Sequence, residues 1–255
     1  MRKARAAIAL VALAAAISAC GGPRVQGPSN QIINRVLANA PGEAQPSTIV
    51  AAEVAFARAA REQGQWTAFQ QFAAPGAVIH GANGVIDAGT WLPAQADPAE
   101  PVQWGARIVV MSCDGATAVS QGRFVTPEGI VGNYVTVWER QPDGAYKWAY
   151  DVGGPDVPQP PPRTEVADGD IVVTAIDSIQ GLVATCPRAG VPIPQPPAIP
   201  IGEDGAANAV LSKDGTLRWR WEHREDGTKF VSAEYFYQGQ WLTAIEESLA
   251  SLGEG

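Results

Sequence analysis

Residues 132–151 read Gly132-Asn-Tyr-Val-Thr-Val-Trp138-Glu-Arg-Gln-Pro-Asp-Gly144-Ala-Tyr-Lys-Trp148-Ala-Tyr-Asp151. Tyr134, Thr136 and Trp138 alternate with Val135 and Val137, and Tyr146, Trp148 and Tyr150 alternate with Lys147 and Ala149. A period of two sends successive side chains to opposite faces of a strand. Pro142-Asp-Gly144 between the runs is turn chemistry. The stretch therefore predicts two half-buried strands, 130–140 and 145–152, joined as a hairpin. Trp138 and Trp148 are then placed to form a cross-strand pair.

Upstream, 106–112 and 116–124 read as further strands, with breaks at Asp114-Gly115 and Pro127-Glu-Gly129. The hairpin thus belongs to an antiparallel meander. Residues 77–80 and 85–87 flank Asn83-Gly84, a strong hairpin signal, and 91–101 is a Pro-rich loop. Ahead of them lie two helices. Ser47 is a candidate N-cap for 48–63, a run with no Gly or Pro before Gly64. Val50, Val54, Ala57 and Arg61 share one stripe there, with Ile49, Phe56 and Ala60 nearby, so the apolar face is wide. A second helix over 65–72 carries Trp66, Phe69 and Phe72 at a spacing of three and stops before Pro75-Gly76.

The opening, Gly64-Gln-Trp66 and a short helix ending Phe72-Ala-Ala-Pro-Gly-Ala-Val-Ile-His80, resembles the start of the nuclear-transport-factor-2-like superfamily, which includes SnoaL-like cyclases and ketosteroid isomerases. The 132–151 hairpin resembles that fold's last hairpin in exported members. The resemblance covers roughly 47–152. It implies an α+β fold, a cone-shaped curved antiparallel sheet wrapped on N-terminal helices and leaving a pocket. It also implies an open sheet face through which members often dimerise, or which the C-terminal residues cover instead.

Residues 154–255 fall outside that pattern. Eleven of the 21 prolines lie in 155–200, and Pro158–Pro162 and Pro192–Pro197 read as extended connectors. Residues 170–175 and 181–186 between them read as short strands. A last meander follows over 207–211, 216–224 and 229–237, with Leu217, Trp219 and Trp221 facing one way and Arg218, Arg220 and Glu222 the other. The tail from Trp241 reads as a strand turning into a helix. The expected organisation is 1–19 signal, 20–46 tether, 47–153 cone domain, and 154–255 a Pro-rich linker and β-rich extension packed on the same sheet.

Met1–Ala6 is basic and Ala7–Ile17 is an apolar run too short to span a bilayer as a helix. Small residues before a cut complete an export signal. Ile17-Ser18-Ala19-Cys20 resembles the lipobox of bacterial lipoproteins, which implies cleavage before Cys20 and acylation of that residue. Gly21 rather than Asp implies an outer-membrane address facing the periplasm. The anchor is an expectation of membrane partnership through Cys20.

The chain has 255 residues, 46% hydrophobic and 17% charged, with 18 basic and 26 acidic residues and a net charge of −8. Three of the basic residues (Arg2, Lys3 and Arg5) sit in the signal, so its removal takes the balance from −8 to −11. Nucleic acid is disfavoured as a partner, because a basic face is needed to replace phosphate counterions. Cys113 and Cys186 remain once Cys20 is assigned to lipid, and an exported chain with one leftover pair most simply forms a disulfide. Two cysteines 73 residues apart and two histidines (His80 and His223) lack zinc-site spacing. Gly129–Gly132 lacks the Lys and the following helix of a phosphate loop. No metal or other cofactor is expected.

The sequence is richer in tryptophan than in catalytic groups. Trp66, Trp91, Trp104, Tyr134, Trp138 and Trp148 are the candidate pocket residues, open to two readings: lining for an apolar ligand, or a core that fills the cone. His80, Tyr134 and Asp151 are the candidate catalytic set, with His80 or Asp151 as base and Tyr134 as donor. His80 reads first as a hydrogen-bonded structural histidine. Two functions stand: a non-catalytic envelope lipoprotein binding a small apolar ligand or an envelope protein, and a SnoaL-like lyase or isomerase.

Overall fold

A computed structural model describes residues 44–161, 178–187, 190–199 and 208–251. The signal, Cys20, most of the tether, the 170–175 strand and the final residues of the tail lie outside the described residues. Among the described residues no helix is long and apolar enough to cross a membrane.

The chain opens with α1 (Pro46–Gln63) and α2 (Gln65–Phe72). Pro46 sits in the first turn of α1, where its missing N–H costs nothing. Gly64 separates the helices at φ 116°, and any Cβ there would run into the Asp97 carboxylate. That carboxylate caps α2, accepting from Trp66 N at 2.6 Å, Thr67 N at 3.1 Å and the Thr67 hydroxyl at 2.6 Å. The buried face of α1 runs Ile49, Glu53, Phe56, Ala60. The stripe expected from the sequence is displaced: Val54 and Arg61 are exposed.

A seven-stranded sheet follows, built from β1 (Ala73–Gly81), β2 (Gly84–Asp87), β3 (Gln103–Met111), β4 (Thr117–Val125), β5 (Val131–Arg140), β6 (Tyr146–Pro155) and β7 (Gln180–Val183). A short helix α3 (Ala88–Trp91) leads out of β2. The spatial order is β2-β1-β6-β5-β4-β3-β7. The fold is α+β, and β3 to β6 form the antiparallel meander, but the sheet is mixed rather than antiparallel throughout. β1 joins β6 in parallel and β7 joins β3 in parallel. The reason is connectivity: neither pair is joined by a tight turn, and only a tight turn forces reversal.

A second, four-stranded antiparallel sheet comprises β8 (Asn208–Leu211), β9 (Leu217–His223), β10 (Lys229–Tyr237) and β11 (Gln240–Leu249), in the order β11-β10-β9-β8. β11 is extended along its whole length, so the helix expected at Ile245 and Leu249 is a strand. It pairs with β10 from Tyr237↔Gln240 to Lys229↔Leu249, and that ladder overrides the weaker helical spacing.

The result is three layers. The helices cover the concave face of the large sheet, burying Ile49, Phe56, Val109, Met111, Trp138 and Trp148. The second sheet covers the other face, burying Val119, Val135, Val137 and Val152 against Leu217, Trp219, Val231 and Ile245. The outer face therefore carries the chain's own second sheet. Cys113 and Cys186 form a disulfide that ties the β3–β4 turn to the segment after β7. Beside it two alike turns dock, Asp114 N donating to Asp214 Oδ2 at 2.9 Å and Cys113 N to the Thr216 hydroxyl at 2.9 Å.

Candidate functional site

Between the helices and the concave face lies a cavity of about 170 Å³, walled by Phe56, Phe69, Val102, Trp104, Phe124 and Gly153, with Gln65, Tyr134, Thr136 and Asp151 as its polar members. A larger pocket of about 710 Å³, bordered by Arg107 and Arg123, shares Trp104 and Phe124 with it. A cavity of the smaller size lined by apolar rings suits a single-ring molecule.

Asp151 reaches this cavity because of a register shift. β5 and β6 pair Val137↔Tyr150 and then Trp138↔Trp148, so Ala149 is skipped. A bulge of this kind reverses the facing of every later residue. Trp148 points to the helices, Tyr150 and Val152 to the second sheet, and Asp151 and Gly153 back into the cone. The Thr136 hydroxyl donates to Asp151 Oδ2 at 2.6 Å. Burial pushes this carboxyl up to about 6, against the lowering effects of Thr136 and of the positive charge on Lys229.

A second carboxylate stands behind Tyr134. Glu53, buried on α1, accepts from the Ser120 hydroxyl at 2.5 Å and from Tyr134 OH at 3.3 Å, and Trp104 also hydrogen-bonds it. Ser120 in turn accepts from Trp138 Nε1 at 3.0 Å. Burial raises Glu53 to about 7, the three donors opposing it and the Asp151 charge adding to it. Burial and the same two carboxylates hold the Tyr134 hydroxyl well above its ordinary value. Gly122 makes room for that ring: a Cβ on it would lie 2.6 Å from the Tyr134 ring.

Of the candidate catalytic set, Tyr134 and Asp151 therefore meet at the cavity, and His80 does not. His80 lies on the other face of β1, hydrogen-bonded through Nδ1 to Tyr150 OH at 2.7 Å and through Nε2 to His223 Nδ1 at 2.9 Å. Burial, His223 and Lys229 push it down to about 4. It belongs between the two sheets, as the structural reading had it, and the pairing of His80 with Tyr134 is corrected. Of the candidate pocket residues, Trp104 and Tyr134 line the cavity. Trp138 and Trp148 are fully buried core, the latter donating to Phe69 O at 3.0 Å. Trp66 and Trp91 pack edge-to-face on each other, 5.1 Å apart, outside the lining. Glu53 escaped the sequence reading. Its signal was a carboxylate at the i+4 position between Ile49 and Phe56, in the middle of the apolar face.

Glu53 gives a pH prediction. Its folded value, raised from 4.5 to about 7, means that the native chain keeps this proton after the unfolded chain has lost it. Its contribution is therefore intact below about 4.5 and is lost as pH rises through about 7. Glu53→Gln removes that loss, together with the mutual repulsion between Glu53 and Asp151. Urea denaturation should show the variant gaining stability relative to wild type between pH 5 and pH 8. A constant difference would contradict the assignment.

No protein-family model matches this sequence, and no curated protein matches it. Among solved structures, the chain is similar to a "putative ketosteroid isomerase" from Parabacteroides distasonis. The two share 16% identity over 47% of this chain and 94% of that one, with a TM-score of 0.36.

Proposed function

We propose that the cone is a proton-transfer site for a small apolar ligand carrying one ring and a carbonyl group, in the manner of an isomerase or lyase. One observation carries this reading: an ionisable carboxylate, Asp151, and a tyrosine backed by a second buried carboxylate converge on one apolar cavity. A base titrating near 6 is poised for proton abstraction near neutral pH. Asp151 would take the proton from the carbon beside the carbonyl, and the electron pair of that C–H bond would shift to the carbonyl oxygen. The Tyr134 O–H donates to the developing oxyanion, with Glu53 as its alternative partner, and a proton returned at another carbon completes an isomerisation.

The second reading, binding without chemistry, is favoured by one fact. Among the described residues no buried side-chain nitrogen or oxygen lacks a hydrogen-bond partner, as in a network that serves only the fold. A β,γ-unsaturated one-ring ketone, 3-cyclohexenone, separates the two. Conversion to the conjugated ketone, read by ultraviolet absorption, should fall by about 10²- to 10⁴-fold in Asp151→Asn. Binding with no turnover in either protein supports the second reading, and no binding in either removes both.

The lipobox-like Ile17–Cys20 stretch supports placing this domain at an envelope membrane, anchored through Cys20. Cys20→Ser should abolish acyl labelling and membrane retention; unchanged retention would refute the anchor.

A further inference from the structure

Lys229 opens β10 in the second sheet, yet it is buried, and its Nζ donates to Gly153 O at 2.7 Å. Gly153 lines the cone and lies two residues beyond Asp151 on the same strand. Among the described residues no carboxylate lies within ion-pair distance of this ammonium. A buried cation held by one carbonyl is costly unless a counter-charge acts on it. The counter-charge is on the far side of β6: the Asp151 carboxylate and the Lys229 ammonium act on each other through that strand.

We propose that Lys229 is a positioning residue of the cone, fixing the Gly153 backbone and supplying from the second sheet the counter-charge to Asp151. The inference rests on the reading of Asp151 as the working group of the cavity. It also gives the second sheet a part in the site, beyond covering the outer face.

The surrounding groups are consistent with this role. On the cone side, Asp151 faces the Thr136 hydroxyl, with Tyr134 and Glu53 nearby, and none of these carries a positive charge. On the outer side, Lys229 acts on His80, which burial, His223 and Lys229 together push down to about 4, and the positive charge that acts on Asp151 is that of Lys229. Burial lowers the proton affinity of the ammonium and Asp151 restores part of it.

The test needs no substrate, so failure of the proton-transfer reading does not touch it. Carboxyl ¹³C titration of Asp151, assigned with Asp151→Asn, is measured in wild type, Lys229→Met and Lys229→Arg. The midpoint should rise by about one pH unit in Lys229→Met, a tenfold change in the ionisation equilibrium, and stay near wild type in Lys229→Arg. A folded Lys229→Met with an unchanged midpoint overturns the proposal, because a lysine serving only packing would lower the melting temperature and leave the titration alone. Should Lys229→Met fail to fold, the reciprocal measurement decides. The Lys229 ammonium, followed by ¹⁵N, must titrate at lower pH in Asp151→Asn than in wild type, and an unchanged value overturns the proposal equally.

Discussion

Replacing Cys113 and Cys186 together by serine should cost about 4 kcal/mol of stability, from the entropy that a loop of this length regains in the unfolded chain. The separation is 73 residues, and the loop it closes spans most of the large sheet and the Pro-rich crossing. Among the described residues, β7 is four residues long, sits at the sheet edge and pairs with β3 alone. Beyond it, Thr185 N donates to Phe236 O at 2.7 Å, and Gln238 N to the Thr185 hydroxyl at 2.9 Å. These bonds join the segment to β10, so opening the disulfide loosens both sheets where they meet. Urea denaturation of the oxidised protein and the double variant measures the difference, and the whole stability of such a domain is only on the order of 5–15 kcal/mol. A difference under about 1 kcal/mol would mean that interlayer packing alone fixes the arrangement.

Trp138→Ala should be comparably severe, at about 3–5 kcal/mol. The indole is fully buried, packs edge-on to Phe56 at 6.3 Å, and donates to Ser120. Truncation leaves a void the size of the ring system. It also strips Ser120 of the donor that orients its hydroxyl toward Glu53. Trp138→Phe divides these terms, keeping most of the apolar volume while losing the N–H, and should cost about 1–2 kcal/mol. If the two variants were equally destabilised, the hydrogen bond rather than packing would dominate at this position. The same pair probes the site: both should alter Glu53 titration, since both remove the N–H that donates to Ser120.

Much of this architecture was legible locally. The alternation of 132–151 specified its two strands, Asn83-Gly84 specified a hairpin, and the unbroken run before Gly64 specified α1. Leu217, Trp219 and Trp221 were correctly placed on one face of β9, because no bulge interrupts that ladder. The disulfide was legible from cysteine number and the expectation of export.

Strand parity alone separated two sets of side chains without saying which set met the helices. Tyr150 and Trp148 share a parity in the sequence, yet the shift at Ala149 sends them to opposite layers and turns Asp151 into the cone. A bulge is decided by pairing with a neighbouring strand, which the strand's own residues do not encode. The same holds for His80, whose partners Tyr150 and His223 are 70 and 143 residues away. Glu53 drew no reading from the sequence, because the groups that close over it, Ser120 and Tyr134, are 67 and 81 residues away. By itself, then, the sequence determined the elements, the covalent tie and the export address as an expectation, since each is written in neighbouring residues or simple counts. Tertiary structure alone decided which carboxylates are desolvated and which groups face one another, because burial and opposition are properties of several chain segments at once.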